Sequence, residues 1–288
     1  MDIEWSAHGI AIVGAGVMGV GIAALAVGRG LPVVLVDVAE DRTRRAPDAV
    51  HRQVRTAQLL GRLPRDAALG ELTTSTSVAQ VAGAGAVIEA VTEVPEVKAK
   101  VLAEISGAVG PGTLLTSNTS AIPIQELAAA TARPAELVGT HFMNPPYLIH
   151  AVEVVRGPDT GDAAMATLES LFAILDRQAI VVGDGPGFVS NRILMWVIND
   201  AARLVQEGRA APKDVDDIFV GCFGHRTGPL ATADLIGLDS VVDTLRVLFD
   251  RTGDDGYRTC RELVSKVQEG HFGRKTGRGF YEYGESMS

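Results

Sequence analysis

Gly14, Gly16 and Gly19 stand in a strand-to-helix turn, GAGVMGVG, whose spacing suits the phosphates of a dinucleotide. Gly14 permits the tight turn, Gly16 lets the backbone approach a pyrophosphate, and Gly19 lets the helix pack against the strand. Val17 and Met18 complete the turn, at a helix N-terminus whose free N–H groups and dipole favour an anion. Such a turn alone also occurs in sheets that bind nothing. Here an apolar strand precedes it, a helical stretch follows it, and Asp37 closes the next strand, 23 residues past Gly14. That spacing lets the carboxylate accept the hydroxyls of an adenosine ribose. Val38, Ala39 and Glu40 follow Asp37, with no arginine directly after it. An anion there repels a 2′-phosphate, so the reading is NAD rather than NADP.

A second group can move protons. His141 ends an apolar stretch ahead of Phe142-Met143-Asn144-Pro145, at the edge where parallel sheets place ligands. Taking a hydride from a secondary alcohol requires a base for the hydroxyl proton, and histidine suits that role near neutral pH. Glu153 sits within the otherwise apolar AVEVV, and a carboxylate in a buried strand is costly unless paired. The 12 residues from His141 to Glu153 allow the chain to return as a neighbouring strand and orient the imidazole. The alternative is a core histidine and an unrelated acid. His150 competes for the role, but no acid is placed to orient it. Ser120, in SNTS after an apolar strand, can cap the following helix. Asn191 follows PGFVS beside a helix start, where a buried asparagine needs partners.

These residues need a scaffold, and the first 180 residues supply one by alternating β-branched runs with alanine-rich stretches. Strands are expected at Ile10–Val13, Val33–Val36, Ala86–Ala90, Leu114–Ser117, Leu137–Gly139, His150–Val155 and Ala179–Val182. Helices are expected at Gly19–Gly28, Asp41–Leu63, Pro95–Val109 and Ile124–Ala130. This is the pattern of an α/β fold, a Rossmann-type doubly wound, mostly parallel sheet. After the GDGPG cluster the pattern becomes helical, with helices at Phe188–Gln206, Pro212–Phe219, Ala233–Arg251 and Thr259–Glu269 and no strand until the last few residues. Two domains follow: residues 1–185, a dinucleotide-binding unit, and residues 186–288, an all-helical C-terminal unit. The segments Ala233–Phe249 and Phe188–Val205 carry more apolar residues than one helix face needs, which predicts a homodimer.

Composition bounds the partners. The net charge of −9 argues against nucleic acid or an anionic membrane as a general partner. Only Cys222 and Cys260 occur, so neither a disulfide framework nor a metal site is expected. The N-terminus reads as a strand rather than a signal peptide, and no apolar run reaches the roughly 18 residues of a membrane span. The expectation is a cytoplasmic protein.

Eight ordered segments resemble the 3-hydroxyacyl-CoA dehydrogenase family: GAGVMGVGIA, EAVTEVPEVK, SNTS, GTHFMNPP, VEVV, DGPGFVSNRI, GPLATADLIGLD and GRKTGRGFYEY. The resemblance implies NAD, a helical domain used for dimerisation, and interconversion of 3-hydroxyacyl and 3-ketoacyl thioesters. It places the family's catalytic pair on His141 and Glu153, a hydrogen bond to the substrate hydroxyl on Ser120, and completion of the substrate oxygen's hydrogen bonds on Asn191. It also implies cofactor contacts from Glu93, Lys98, Asn144 and Lys275. Two positions that hold the CoA carrier in better-known members, a serine and a lysine, read Gln53 and Leu60 here, and HFFNP reads HFMNP. The substrate is therefore an acyl thioester on CoA or, alternatively, on an acyl carrier protein, as for glyceryl-type extender units of polyketide pathways. The run Arg42, Arg44, Arg45, Arg52 and Arg55 is either a solvated helix face or a contact for carrier phosphates. The 3-hydroxyisobutyrate/6-phosphogluconate type also begins with a GxGxMG turn, but has no counterpart of HFMNP…VEVV. An inactive relative would not need Ser120, His141, Glu153 and Asn191 intact.

Overall fold

The computed structural model describes residues 4–284, so residues 1–3 and 285–288 at the ends of the two expected domains lie outside it. The chain divides between Gly185 and Pro186 into two compact units. After a short helix α1 (Trp5–His8), the first unit builds one eight-stranded sheet. Its strands are β1 (Ile10–Val13), β2 (Val33–Val36), β3 (Leu72–Ser75), β4 (Ala86–Glu89), β5 (Leu114–Ser117), β6 (Leu137–His141), β7 (Ala151–Arg156) and β8 (Gln178–Gly183). They lie in the order β3-β2-β1-β4-β5-β6-β7-β8. Neighbours from β3 to β6 run parallel, β7 runs antiparallel to β6, and β8 parallel to β7.

The central strands are short and apolar because both of their faces are covered: every residue of β1, β4, β5 and β6 is buried. Helix α2 (Val17–Gly28) is apolar all round, as a helix must be when packed on all sides, and Gly19–Gly28 are all buried. Helix α3 (Glu40–Leu59) is amphipathic instead. Its buried positions, Thr43, Ala46, Val50, Val54 and Ala57, recur at helical spacing and leave the arginines outside. Helices α4 (Pro95–Ala108), α5 (Ile124–Ala128) and α6 (Asp162–Leu175) complete the covering layers.

Helix α1, strand β3 and helix α6 of this unit are not in the sequence reading. Strand β3, LTTS, is an edge strand that no residue of which is fully buried, so it needs no apolar run. Helix α6 buries Ala164, Leu168, Leu171, Phe172 and Leu175, and its Phe172 ring meets Phe142 edge-on with centroids 5.7 Å apart. The capping role considered for Ser120 belongs to Asp184, whose carboxylate accepts the backbone N–H groups of Ile124 (2.9 Å) and Gln125 (2.8 Å) at the start of α5.

The second unit packs α7 (Ser190–Gln206), α8 (Pro212–Phe223), α9 (Pro229–Ile236), α10 (Leu238–Thr252) and α11 (Arg261–Gln268) around one core. The single helix expected over Ala233–Arg251 is two, because Gly237 adopts φ 104, outside the helical region and open to glycine. The C-terminal tail forms no strand among the described residues, only isolated bridges at Gly273–Arg278 and Arg278–Glu282. It is held by Asp234, a buried carboxylate on α9 that accepts Phe280 N–H (2.9 Å), Tyr281 N–H (3.0 Å) and Tyr283 O–H (3.0 Å). Burial, then the Asp234 charge, push the Tyr283 phenol up to about 12, so it donates throughout the physiological range. Asp234→Ala should therefore orphan three donors and cost the helical unit about 1–3 kcal/mol for each one left buried. Urea unfolding should show a lowered midpoint; an unchanged midpoint would contradict the tail's dependence on this carboxylate.

Candidate active site

The C-terminal edge of the sheet gathers the charged residues. Glu89 is the last residue of β4 and is fully buried. It accepts from Val91 N–H (2.7 Å), from Ser117 Oγ at the end of β5 (2.5 Å) and from Lys98 Nζ (2.8 and 3.1 Å). Lys98 projects from the first turn of α4, is 1% exposed, and also lies 3.2 Å from Glu93 and 3.3 Å from the Val91 carbonyl. Three N–H groups are thus spent on protein partners. A buried ion pair of this kind is sustained only when both members are fully hydrogen-bonded, as here. Sequence reading picked out Lys98 but missed Glu89, although an acid ending the apolar run AVIE carries the same signal as Glu153 inside AVEVV.

Glu93 reaches in the other direction. Its Oε1 accepts from Thr119 Oγ1 (2.6 Å), Ser120 N–H (2.6 Å) and Ala121 N–H (3.1 Å). Asn118 in the same loop accepts Phe142 N–H at 3.0 Å. The SNTS loop is therefore fastened to β4, α4 and the segment after β6, which fixes where Ser120 stands. Glu93 serves this loop, beyond any contact with a cofactor.

The antiparallel pairing of β6 and β7 sets His141 directly opposite Glu153. His141 Nδ1 and Glu153 Oε2 lie 2.9 Å apart, and the two residues are only 6% and 8% exposed. Next to a carboxylate oxygen, Nδ1 carries the hydrogen, which leaves Nε2 with its lone pair. Asn144 is exposed on the loop that follows. His150 is also exposed, and it does have an acid nearby: Asp176 lies 3.5 Å from its Nε2, contrary to the sequence expectation.

In the helical unit, Asn191 stands in the first turn of α7 and is half-exposed rather than buried. The fully buried asparagine of that helix is Asn199, which binds Gly256 and Arg258 carbonyls and Cys260 N–H as a purely internal tie. Lys275 is anchored to the Asp239 carboxylate at 2.5 Å, with its ammonium 5.3 Å from the Phe272 ring.

A cleft of about 790 Å³ opens above β1 and β2, lined by Gly14, Gly16, Val17, Met18, Asp37 and Arg42 among others. Asp37 is held by Ala15 N–H (2.8 Å) and Ala39 N–H (2.9 Å). Arg42, one helical turn into the sequence beyond, comes within 3.6 Å of it, so an arginine does neighbour this acid although none directly follows it.

Family models match both units: the NAD-binding domain of 3-hydroxyacyl-CoA dehydrogenase over residues 9–185 and its C-terminal domain over residues 187–283. The chain belongs to the 3-hydroxyacyl-CoA dehydrogenase family. A probable 3-hydroxybutyryl-CoA dehydrogenase of Deinococcus radiodurans is 38% identical over 94% of this chain and 99% of its own length. Among solved structures, FadB2 of M. tuberculosis superposes with a TM-score of 0.91 at 35% identity, covering 96% of this chain and 99% of that one. The (S)-3-hydroxybutyryl-CoA dehydrogenase PaaH1 of Ralstonia eutropha gives a TM-score of 0.88 at 39% identity, with the same coverage.

The protein is thus an NAD-dependent oxidoreductase, and its cleft fits that cofactor. A Cβ on Gly19 would lie 1.7 Å from the Gly14 carbonyl oxygen, so the turn closes only with glycine there. A Cβ on Gly16 would meet no protein atom within 4 Å and would enter open space beside the first turn of α2. No side chain caps that turn, which leaves its N–H groups to an anion. Gly16→Ala should fold with an unchanged melting temperature and bind NADH more weakly, read by fluorescence titration. Gly19→Ala should lower the melting temperature itself. Unaltered NADH affinity in Gly16→Ala would place the pyrophosphate elsewhere. Among the described residues, no helix is long and apolar enough to cross a membrane.

Proposed function

We infer that this protein interconverts a 3-hydroxyacyl thioester and the matching 3-ketoacyl thioester, with His141 as the proton-transfer group and Glu153 as its partner. The observation that carries this reading is the 2.9 Å contact of Nδ1 with Oε2 across a buried, register-fixed strand pair. With Nδ1 turned to Glu153, Nε2 is the nitrogen that meets the reacting hydroxyl in this reading. NAD, when bound, supplies the hydride acceptor or donor. In the oxidation direction the hydroxyl proton passes to His141 Nε2, and the imidazolium so formed is stabilised by the Glu153 carboxylate. In reduction, Nε2 returns the proton to the alkoxide oxygen. Ser120, fixed through its backbone by Glu93, supplies a hydrogen bond that orients the substrate oxygen in this reading.

The named relatives make a short 3-hydroxyacyl-CoA, such as 3-hydroxybutyryl-CoA, the first substrate to test. Arg52 and Arg55 on α3 are exposed, which also favours an acidic carrier protein as the alternative bearer of the thioester. His141→Ala should lower kcat for acetoacetyl-CoA reduction by about 10²–10⁴-fold while NADH affinity stays unchanged. Glu153→Gln should also slow turnover, because the imidazolium loses its counter-charge. Near-native turnover in His141→Ala would dispose of this mechanism.

The same reading includes a homodimer formed through the helical unit. Ile193 and Trp196 on α7, Ile218 and Phe223 on α8, and Leu235 on α9 are exposed, with Phe223 reaching 62%. On α10, Leu238, Val241, Leu245 and Leu248 are consumed by the unit's own core, which leaves the half-buried Val242, Val247 and Phe249 as its apolar surface. Helix α8, expected as a helix but not as part of the dimer surface, offers Ile218 and Phe223 to it in this reading. Light scattering at micromolar concentration should give twice the chain mass, and Phe223→Asp should halve it. A monomeric wild-type chain would exclude the dimer.

A further inference from the structure

Helices α2, α3 and α6 bring their C-terminal ends together around a second cavity of the first unit, of about 340 Å³. Arg29, Arg62 and Arg177 line it, with Asp176, His150 and Tyr147. Three guanidiniums face one carboxylate, a local excess of two positive charges in a chain whose net charge is −9. Cations at helix C-termini are stabilised by the dipole, and that accounts for an arginine at each end taken singly. It does not account for their convergence.

Each arginine is differently placed. Arg29 pairs with Asp176 at 2.5 Å, yet its Nε is buried without a hydrogen-bond partner. Arg177 is only 9% exposed and is held in place by the Leu175 (3.2 Å) and Ile149 (3.0 Å) carbonyls. Burial, then Arg29, then Arg62 pull Arg177 below the usual arginine range, against a counteracting Asp176. Arg62 is exposed at the rim, just past the end of α3. Fixed, crowded guanidiniums with an unsatisfied N–H are suited to a ligand that brings several anionic oxygens at once, which is the chemistry of a phosphate ester. Tyr147 and Leu148 add an apolar wall beside them.

The cavity also adjoins the start of the strand that carries Glu153. His150, on its wall, directly precedes β7, and Glu153 is three residues further along that strand, about 10 Å away at strand spacing. We propose that this cavity binds the phosphate of the phosphopantetheine-type carrier whose thioester is presented to His141. The proposal rests on the thioester reading above. It also explains how α3 manages with Leu60 where a lysine would reach a phosphate: the cations come from the ends of α2 and α6 and from just beyond α3. The phosphate has two sources, the nucleotide end of CoA or the phosphopantetheine of a carrier protein.

The test is Arg62→Ala, an exposed change outside the proton-transfer machinery, assayed on acetoacetyl-CoA, acetoacetyl-dephospho-CoA, acetoacetyl-pantetheine and an acetoacetyl carrier protein. Calorimetry of free CoA runs alongside. The expected result is a KM about tenfold higher for a phosphorylated substrate, with kcat held and the KM for acetoacetyl-pantetheine unmoved. A loss confined to acetoacetyl-CoA and absent with its dephospho form assigns the cavity to the CoA 3′-phosphate. An equal loss on acetoacetyl-CoA, its dephospho form and the carrier protein assigns it to the phosphate next to pantetheine, which all three share. Equal KM values for wild type and variant on every phosphorylated substrate, or an equal loss on acetoacetyl-pantetheine, would overturn the proposal. If no thioester is turned over but Arg62→Ala still weakens free CoA about tenfold, the reaction assignment fails and the cavity stands.

Discussion

A carboxylate placed in a buried strand must meet a donor, and the C-terminal edge of this sheet is organised around two such carboxylates. Glu89 ends β4 and Glu153 lies within β7, and burial leaves neither a solvent partner. Breaking a buried charge pair by removing one member typically costs about 3–5 kcal/mol. Each acid therefore dictates its neighbour: Lys98 and Ser117 for Glu89, His141 for Glu153. The side chains gathered at this edge are those that the buried charges require.

From these pairs the constraint spreads outward. Lys98 lies 3.2 Å from Glu93, and Glu93 gathers the backbone of the SNTS loop, so the position of Ser120 is set by a chain of charges beginning in the sheet. Asn118 links that loop to the segment after His141. Rigid, fully bonded supports of this kind hold a site in one geometry. The nucleotide cleft obeys a different rule. There the turn succeeds by lacking side chains: Gly19 for close approach to its own strand, Gly16 for room beside a helix end.

Charge is also distributed unevenly across the first unit. Acids dominate the chain, yet three arginines meet at the ends of α2, α3 and α6 while the outer face of α3 carries more. The helical unit shows the opposite economy, with Asp234 and Asp216 used internally, the one holding the tail and the other capping α9 through Leu230 and Ala231 N–H groups. Its surface also exposes several large apolar side chains, Ile193, Ile218, Phe223 and Leu235 among them.

What the amino-acid sequence determined by itself was everything carried by local pattern: four-residue apolar strands, the glycine turn with its aspartate, the 3.6-residue period of α3, and the change to helices after GDGPG. Those features are short-range, because burial on both faces of a parallel sheet imposes uninterrupted apolar runs and a phosphate turn imposes glycines at set spacing. Strand β3 escaped because an exposed edge strand has no apolar requirement, and the α9–α10 break escaped because a single glycine's φ is decided by what packs around it. The tertiary structure alone decided the long-range pairings. Nothing local in AVIE says that Glu89 will meet Lys98 and Ser117, nothing near Asp37 says that Arg42 will fold back upon it, and nothing in three scattered arginines says that three helices end at one cavity. Their electrostatic consequences depend on distances across the fold, and sequence spacing does not contain those distances.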